Sequence, residues 1–441
     1  MAKPIVAIVG RPNVGKSTLF NSLVGERISI VKDTPGVTRD RIYADASWLD
    51  HDFTLIDTGG IEPGTSDILL SRMLDQAQIA IDTADVIIFV VDGRSGLVDS
   101  DGKVADMLRR SHKPVVLCVN KIDDFKKQKN DIYEFYNLGI GDPFPVSAVS
   151  NLGFGDLLDA VTKDFPAKDS SDDDSDIPRI AIIGKPNVGK SSLVNRLTGQ
   201  NRAIVSDIAG TTRDTLDSLV KYNGEQYIFV DTAGLRRKSR IKEDLERYSI
   251  IRAVAAVEKS DVVIMMIDGT EGVTEQDAKI AGIAHDRGKG IIIAVNKWDA
   301  VEKDTHTVKR ETDKIRQTLS FIPYARIVFI SAKSGQRVSK LYELIDQVIS
   351  NQNLRIQTGV LNEIIADATA MQEPPSDKGR RLKIYYTTEV SVKPPTFVIF
   401  VNDKDLMHFS YLRYLENRLR DAFGFEGTAL HFIVRQRKEE E

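Results

Sequence analysis

The string Gly10-Arg11-Pro12-Asn13-Val14-Gly15-Lys16-Ser17 returns 174 residues later as Gly184-Lys185-Pro186-Asn187-Val188-Gly189-Lys190-Ser191. In each copy a short β-rich apolar run (5–9 and 180–183) leads in and a helical stretch leads out, and the loop with the residue after it, Thr18 or Ser192, is the candidate nucleotide-binding segment. A Gly-x-x-x-x-Gly-Lys-Ser loop between a strand and a helix wraps backbone N–H groups around phosphates at the positive end of the helix dipole. Lys16 and Lys190 would neutralise the β- and γ-phosphates, and the Ser17 and Ser191 hydroxyls would ligate Mg²⁺.

Working outward, the echo stays in step. Gly36-Val37-Thr38-Arg39-Asp40 returns as Gly210-Thr211-Thr212-Arg213-Asp214, and Asp57-Thr58-Gly59-Gly60 as Asp231-Thr232-Ala233-Gly234, again 174 later. Asn120-Lys121-Ile122-Asp123 returns as Asn296-Lys297-Trp298-Asp299, now 176 later. Repeats of solenoids run at about 20–50 residues, so this period means two whole domains. Each copy alternates β-rich runs (53–56, 86–91 and 115–119; 227–230, 262–267 and 291–295) with helical stretches, which predicts α/β domains with a mainly parallel sheet and helices on both faces. The chemistry-bearing loops then follow strand C-termini, where such sheets bind ligands.

The phosphate loop does not separate ATP from GTP; Asn-Lys-x-Asp does. The carboxylate of Asp123 or Asp299 can accept from both guanine N1–H and the 2-amino group, whereas adenine would leave it unpaired. Asn120 and Asn296 would steady the loop, Lys121 and Lys297 would lie over the base, and Ser147-Ala148 and Ser331-Ala332 would face guanine O6. Thr38 and Thr212 are candidates to close on Mg²⁺ and the γ-phosphate. Asp57 and Asp231, ending a strand, would hold Mg²⁺, and Gly60 and Gly234 would present a backbone N–H to the γ-phosphate.

The 441 residues are 41% hydrophobic and 28% charged with a net charge of −4, the profile of a globular protein that does not coat nucleic acid by overall charge. No apolar run reaches the 18 or so residues of a membrane span, and the N-terminus lacks a signal-peptide pattern, so a cytoplasmic chain is expected. The lone cysteine, Cys118, excludes an internal disulfide and reads as a buried strand residue. Residues 168–177 form an acidic, self-repelling run. The expected organisation is a first GTPase domain at 1–166, an acidic linker at 167–177, a second GTPase domain at 178–350 and a small α+β domain at 351–441. In the last part, helices are expected at 354–371 and 411–423, and strands at 382–390, 396–401 and 429–434.

These motifs resemble Era-like GTPases, and their duplication before a short third domain resembles one bacterial family, the EngA (Der) ribosome-assembly GTPases. The resemblance implies a KH-like third domain, GTP/GDP and Mg²⁺ as bound groups, and the large ribosomal subunit and its RNA as partners of a monomer, with no DNA and no membrane. Ras-like enzymes orient the attacking water with a glutamine after Asp-x-x-Gly; here Ile61 and Leu235 stand there. Asn13 and Asn187 are similar to the asparagine that holds potassium in cation-activated relatives, where the ion would offset growing charge; the other reading is that they only shape the loop.

After Gly234 the chain is basic (Arg236, Arg237, Lys238, Arg240, Lys242), a segment suited to RNA phosphates or to solvent alone. In the third domain Lys378, Arg380, Arg381, Lys383, Arg413, Arg418, Arg420, Arg435, Arg437 and Lys438 are the basic candidates. RNA-binding KH modules clamp backbone with Gly-x-x-Gly between two helices. Gly424-Phe425-Glu426-Gly427 follows a helix and precedes a strand, so it reads as a structural turn. Tyr385, Tyr386, Phe397, Phe400 and Tyr411 divide between base stacking and core, with core favoured. The leading reading is a GTP-hydrolysing switch in large-subunit assembly. The alternative is a nucleotide-regulated protein interaction module with slow incidental hydrolysis.

Overall fold

The computed structural model describes residues 3–25, 42–59, 66–124, 132–165, 177–199, 217–231, 245–374, 376–377 and 379–437, apart from the side chains of 66–72, 245–248 and 377. Contacts divide the chain into two compact units, Met1–Asp173 with Ser239–Glu258, and Asp174–Lys238 with Lys259–Glu441.

The first unit is built on β1 (Ile5–Val9), β2 (Tyr43–Trp48), β3 (His51–Asp57), β4 (Val86–Asp92), β5 (Val115–Asn120) and β6 (Pro143–Pro145), in the order β2-β3-β1-β4-β5-β6. Only β2 runs antiparallel, to β3. Every residue of β1 and β4 is buried, which explains why these strands read as unbroken apolar runs and not as alternation. Cys118 lies in β5 with 0% exposure, and burial pushes its thiol up, away from reactivity. The helix Leu245–Glu258, from the second half of the sequence, packs in this unit beside the helix Ser66–Thr83. There the buried Thr54 hydroxyl donates to Glu258 at 2.9 Å, and Arg252 pairs with Asp82 at 3.3 Å.

In the second unit β7 (Arg179–Gly184), β8 (Ser218–Tyr222), β9 (Glu225–Phe229), β10 (Val262–Asp268), β11 (Gly290–Asn296) and β12 (Arg326–Phe329) take the order β8-β9-β7-β10-β11-β12, the first sheet's order strand for strand. The duplication seen in sequence is thus a duplication of topology. A short hairpin, β13 (Ser376–Asp377) and β14 (Arg380–Arg381), leads into a three-stranded sheet of β15 (Ile384–Ser391), β16 (Thr396–Val401) and β17 (His431–Gln436). β15 is antiparallel to β16, and β17 is parallel to it. The helices Thr358–Met371 and Phe409–Phe423 close one face over Phe397, Ile399, Leu361, Leu415 and Leu419. Among the described residues, no helix is long and apolar enough to cross a membrane.

The Gly424–Gly427 segment is the turn expected, and it is spoken for. Gly427 donates to the Tyr324 carbonyl at 2.8 Å and accepts from the Ile291 amide at 2.7 Å, while Glu426 pairs with Arg326 at 2.8 Å. A Cβ on Gly427, whose φ is +74°, would sit 2.3 Å from Val348 Cγ2. Those contacts seat the turn on β11 and the helix Lys340–Gln352.

Candidate guanine-nucleotide sites

Each phosphate loop leaves the C-terminal end of the central strand, β1 or β7, and opens the helix Lys16–Gly25 or Lys190–Gly199. Ser17, Thr18, Ser191 and Ser192 lie exposed on the first turns, where unpaired N–H groups point outward. Lys16 is 7% exposed and donates to the carbonyls of Gly10 and Arg11 at 2.7 and 2.9 Å; Lys190 donates to those of Gly184 and Lys185 at 2.7 and 2.6 Å. Burial lowers the Lys16 pKa to about 8, with the Asp57 charge opposing the shift. A phosphate arriving there would restore the full cation.

Asn13 and Asn187 stand at φ of +65° and +64°, a left-handed region that asparagine tolerates and most residues avoid. Their backbone duty in shaping the loop is therefore evident from the geometry.

Asp57, the last residue of β3, accepts from Ser17 Oγ at 2.9 Å and from the Gly59 amide at 2.8 Å. The second copy differs. β9 ends at Phe229, and Asp231 lies beyond it at φ +53° with its amide held by Asp217 at 3.0 Å. The expectation that Asp231 ends a strand is corrected on that point. Thr38, Gly60, Thr212 and Gly234, with the basic run after Gly234, lie outside the described residues.

The candidate guanine-reading loops follow β5 and β11, and asparagine ties each to its phosphate loop. Asn120 Nδ2 donates to the Val14 carbonyl at 2.8 Å while its Oδ1 accepts from the Ala148 amide at 3.0 Å. Asn296 makes the same two bonds, to Val188 at 2.7 Å and from Ala332 at 2.8 Å. Gly15 and Gly189 are required at these crossings: their φ values are +95° and +99°, and a Cβ on either would lie 2.3 Å from the asparagine Nδ2.

Lys121 bridges the Asn13 carbonyl at 2.5 Å and Asp92 at 2.7 Å, and Lys297 pairs with Asp268 at 2.5 Å. Burial raises the pKa of both aspartates, yet the lysine hydrogen bonds and local amides outweigh it and leave both lowered. Sequence reasoning passed over Asp92 and Asp268; their 176-residue offset, the one that relates Asn120 to Asn296, was the available signal.

Asp123 accepts from Ser147 at 2.7 Å and faces Arg94; the serine bond first, then the arginine, holds its carboxyl below the usual range. Asp299 is held down likewise, chiefly by Ser331. Thr270 occupies the place of Arg94 in the second copy, so the arginine that faces Asp123 has no counterpart at that position beside Asp299.

Two phosphate loops, each tied to a guanine-reading loop at the C-terminal edge of a six-stranded sheet, define a tandem P-loop GTPase. A family model described as 50S ribosome-binding GTPase matches residues 5–121 and again 179–297, and one described as KH-domain-like of EngA bacterial GTPase enzymes, C-terminal, matches 355–435. GTPase Der of Agathobacter rectalis is 74% identical over 441 residues, covering 100% of both chains, and that of Lachnospira eligens is 69% identical with the same coverage. A variant of Era from Aquifex aeolicus aligns at 23% identity with a TM-score of 0.31, over 59% of this chain and 93% of its own. The chain belongs to the GTPase Der (EngA) family. It binds guanine nucleotide and hydrolyses GTP.

In the third domain the aromatic candidates separate. Phe397 and Tyr411 are core, at 0% and 3% exposure. Tyr386 is 42% exposed and stacks on Phe400 with ring centroids 4.4 Å apart. Arg435 is the cross-strand partner of Phe400, so Tyr386, Phe400 and Arg435 form one row across the sheet face. Beside it Tyr385 lies under the cations of Lys383 and Arg437 at 5.4 and 5.6 Å. Other basic candidates are already engaged: Arg380 with Asp403, Arg381 with Glu373, and Arg420 with Glu416 and the Phe425 and Thr428 carbonyls. Lys378 and Lys438 lie outside the described residues.

Proposed function

We propose that the chain is a GTP-controlled switch in assembly of the large ribosomal subunit, docking on ribosomal RNA through its third domain. Residues 1–166 and 178–350 act as the two GTPase domains, 167–177 as a tether and 351–441 as the docking domain, in a cytoplasmic monomer. The observation that carries this reading is the row of Tyr386, Phe400 and Arg435 with the Tyr385 cation pair beside it. Stacked aromatics, one of them exposed, flanked by cations suit unpaired bases and their phosphates, and one stacked base contributes about 1–3 kcal/mol.

Mg²⁺ fits the hard-oxygen pair of Ser17 and Asp57, and its charge offsets that of the β- and γ-phosphates. Ser17, Thr38 and Asp57 would hold it in the first site, and Ser191, Thr212 and Asp231 in the second. Lys16 and Lys190 bind the same phosphates, Asp123 and Asp299 select guanine, and Gly60 and Gly234 offer amides to the γ-phosphate.

The test is sedimentation of ribosomes from lysate with added protein loaded with GDP or a non-hydrolysable GTP analogue, with and without RNase. Analogue-dependent, RNase-sensitive migration with large-subunit particles, weakened about tenfold by Tyr386→Ala with Arg435→Ala, is expected from the loss of one stack and one phosphate contact. Migration free of particles in both states overturns the reading in favour of a protein interaction module.

A further inference from the structure

Two carboxylates outside the nucleotide motifs occupy matching places beneath the two phosphate loops. Asp101 and Asp277 are each the third residue of a helix, Asp99–Arg110 and Glu275–Asp286, 176 residues apart, and both are 0% exposed. Asp101 Oδ2 lies 3.5 Å from Arg11 Nε, and Asp277 Oδ2 lies 3.6 Å from Lys185 Nζ. Arg11 and Lys185 are the second residues of their phosphate loops, and their main-chain carbonyls accept from Lys16 and Lys190 at 2.9 and 2.6 Å. The same chain of contacts, from buried carboxylate to loop cation to loop carbonyl to phosphate lysine, therefore stands in both copies.

We infer that Asp101 and Asp277 are positioning residues for GTP hydrolysis, each fixing the loop residue whose carbonyl seats the phosphate lysine. Burying an ion pair is a poor way to gain stability, because well-packed apolar side chains would serve as well or better. Its recurrence under both lysines is explained by position. The two struts differ in their support. Asp277 also caps its own helix, accepting from the Thr274 amide at 3.0 Å and hydroxyl at 2.8 Å, and Lys185 has a second partner in Glu271 at 3.1 Å. In the first copy Val98 stands where Thr274 would, so Asp101 has no side-chain hydroxyl capping it from that position. Burial pushes the Asp101 pKa up to about 6, against the pull of Arg11 and with the Asp92 charge adding to the rise. Arg11 also donates to the Ser95 hydroxyl, so each loop cation has a second partner, and the struts differ in the threonine cap that only Asp277 of the two carboxylates receives.

The inference rests on Lys16 and Lys190 being the phosphate lysines, so Lys16→Ala is the control. It is run beside Asp101→Asn in a full-length Asp299→Asn background, which leaves the first site as the only guanine reader. Binding of fluorescent GDP and of a fluorescent non-hydrolysable GTP analogue is titrated, and GTP turnover is followed from pH 5 to 8. Asp101→Asn is expected to lower kcat about tenfold and weaken the triphosphate analogue at least threefold more than GDP, because only the triphosphate uses the seated lysine fully. The acid limb of the parent's kcat profile near pH 6 should disappear. The double variant Asp101→Leu with Arg11→Met removes both charges; it should recover the urea midpoint of the parent and keep the kcat loss. Equal weakening of both nucleotides, or a kcat restored together with the urea midpoint, overturns the assignment as mere structural support. Unchanged turnover in Lys16→Ala overturns instead the reading of the site on which it rests.

Discussion

Asn120→Ala cuts the buried side chain that, beside the Lys121 bond to the Asn13 carbonyl, joins the first phosphate loop to the loop after β5. The Val14 carbonyl loses its 2.8 Å bond and the Ala148 amide its 3.0 Å bond, both in a buried setting. A buried backbone group left without its partner costs about 1–3 kcal/mol, so the two together cost roughly 2–6 kcal/mol. Part of this appears as lost stability. The rest appears in binding, because nucleotide bridges the two loops that the asparagine holds in register. With about 2 kcal/mol falling on binding, affinity for GDP drops roughly 30-fold.

The assay is titration of a fluorescent GDP analogue into the Asp299→Asn chain with and without Asn120→Ala, with urea unfolding measured in parallel. Asn296→Ala in the Asp123→Asn chain repeats the test on the second copy, where the equivalent bonds are 2.7 and 2.8 Å. An affinity change below threefold together with an unmoved unfolding midpoint would show that the two loops hold their register without this bridge, and would refute the argument.

Two further outcomes are expected. His285 donates to or accepts from the Tyr324 hydroxyl at 2.8 Å, and burial, with the charges of His431 and Arg420, lowers its pKa to about 4 from an ordinary 6.5. The unfolded chain then takes up the proton first, so the contribution of this group is complete above pH 6.5 and is lost as the pH falls through about 4, up to roughly 3 kcal/mol. Urea midpoints between pH 7 and 4 should fall less steeply for His285→Gln than for the parent, and parallel profiles would dismiss the assignment. We propose that Asn13 and Asn187 would hold potassium, which is then expected to stimulate turnover at one site or both, since neither Ile61 nor Leu235 can orient water. Equal rates in matched potassium and sodium buffers at one ionic strength would end that proposal.

Much of this architecture was legible because fully buried parallel strands read as uninterrupted apolar runs. The runs at 86–91, 262–267 and 291–295 differ from β4, β10 and β11 by a residue or so at an end. The edge strands Tyr43–Trp48 and Ser218–Tyr222 were not foreseen; one side of each is only half-covered, so their apolar signal is diluted. In the site, the residues proposed to meet nucleotide carry local spacing, which is why a sequence motif could nominate them. Asp92, Asp101, Asp268 and Asp277 act on other side chains across the fold, and no local string announces them. The third-domain aromatics show the same limit: Phe397 and Tyr386 lie on neighbouring strands and differ only in which face of the sheet they take. Arg420 read as a surface cation along a helix, yet it is spent on Glu416 and two carbonyls.

The helix Leu245–Glu258 belongs in sequence to the second copy and is housed in the first compact unit. Severing the chain at the acidic run would therefore not yield two self-sufficient pieces. The first piece would lose the carboxylate that receives the Thr54 hydroxyl and the arginine that meets Asp82. One half thus supplies a structural part to the other, and the two copies are no longer interchangeable spares: a break between them would separate the helix from the unit that houses it.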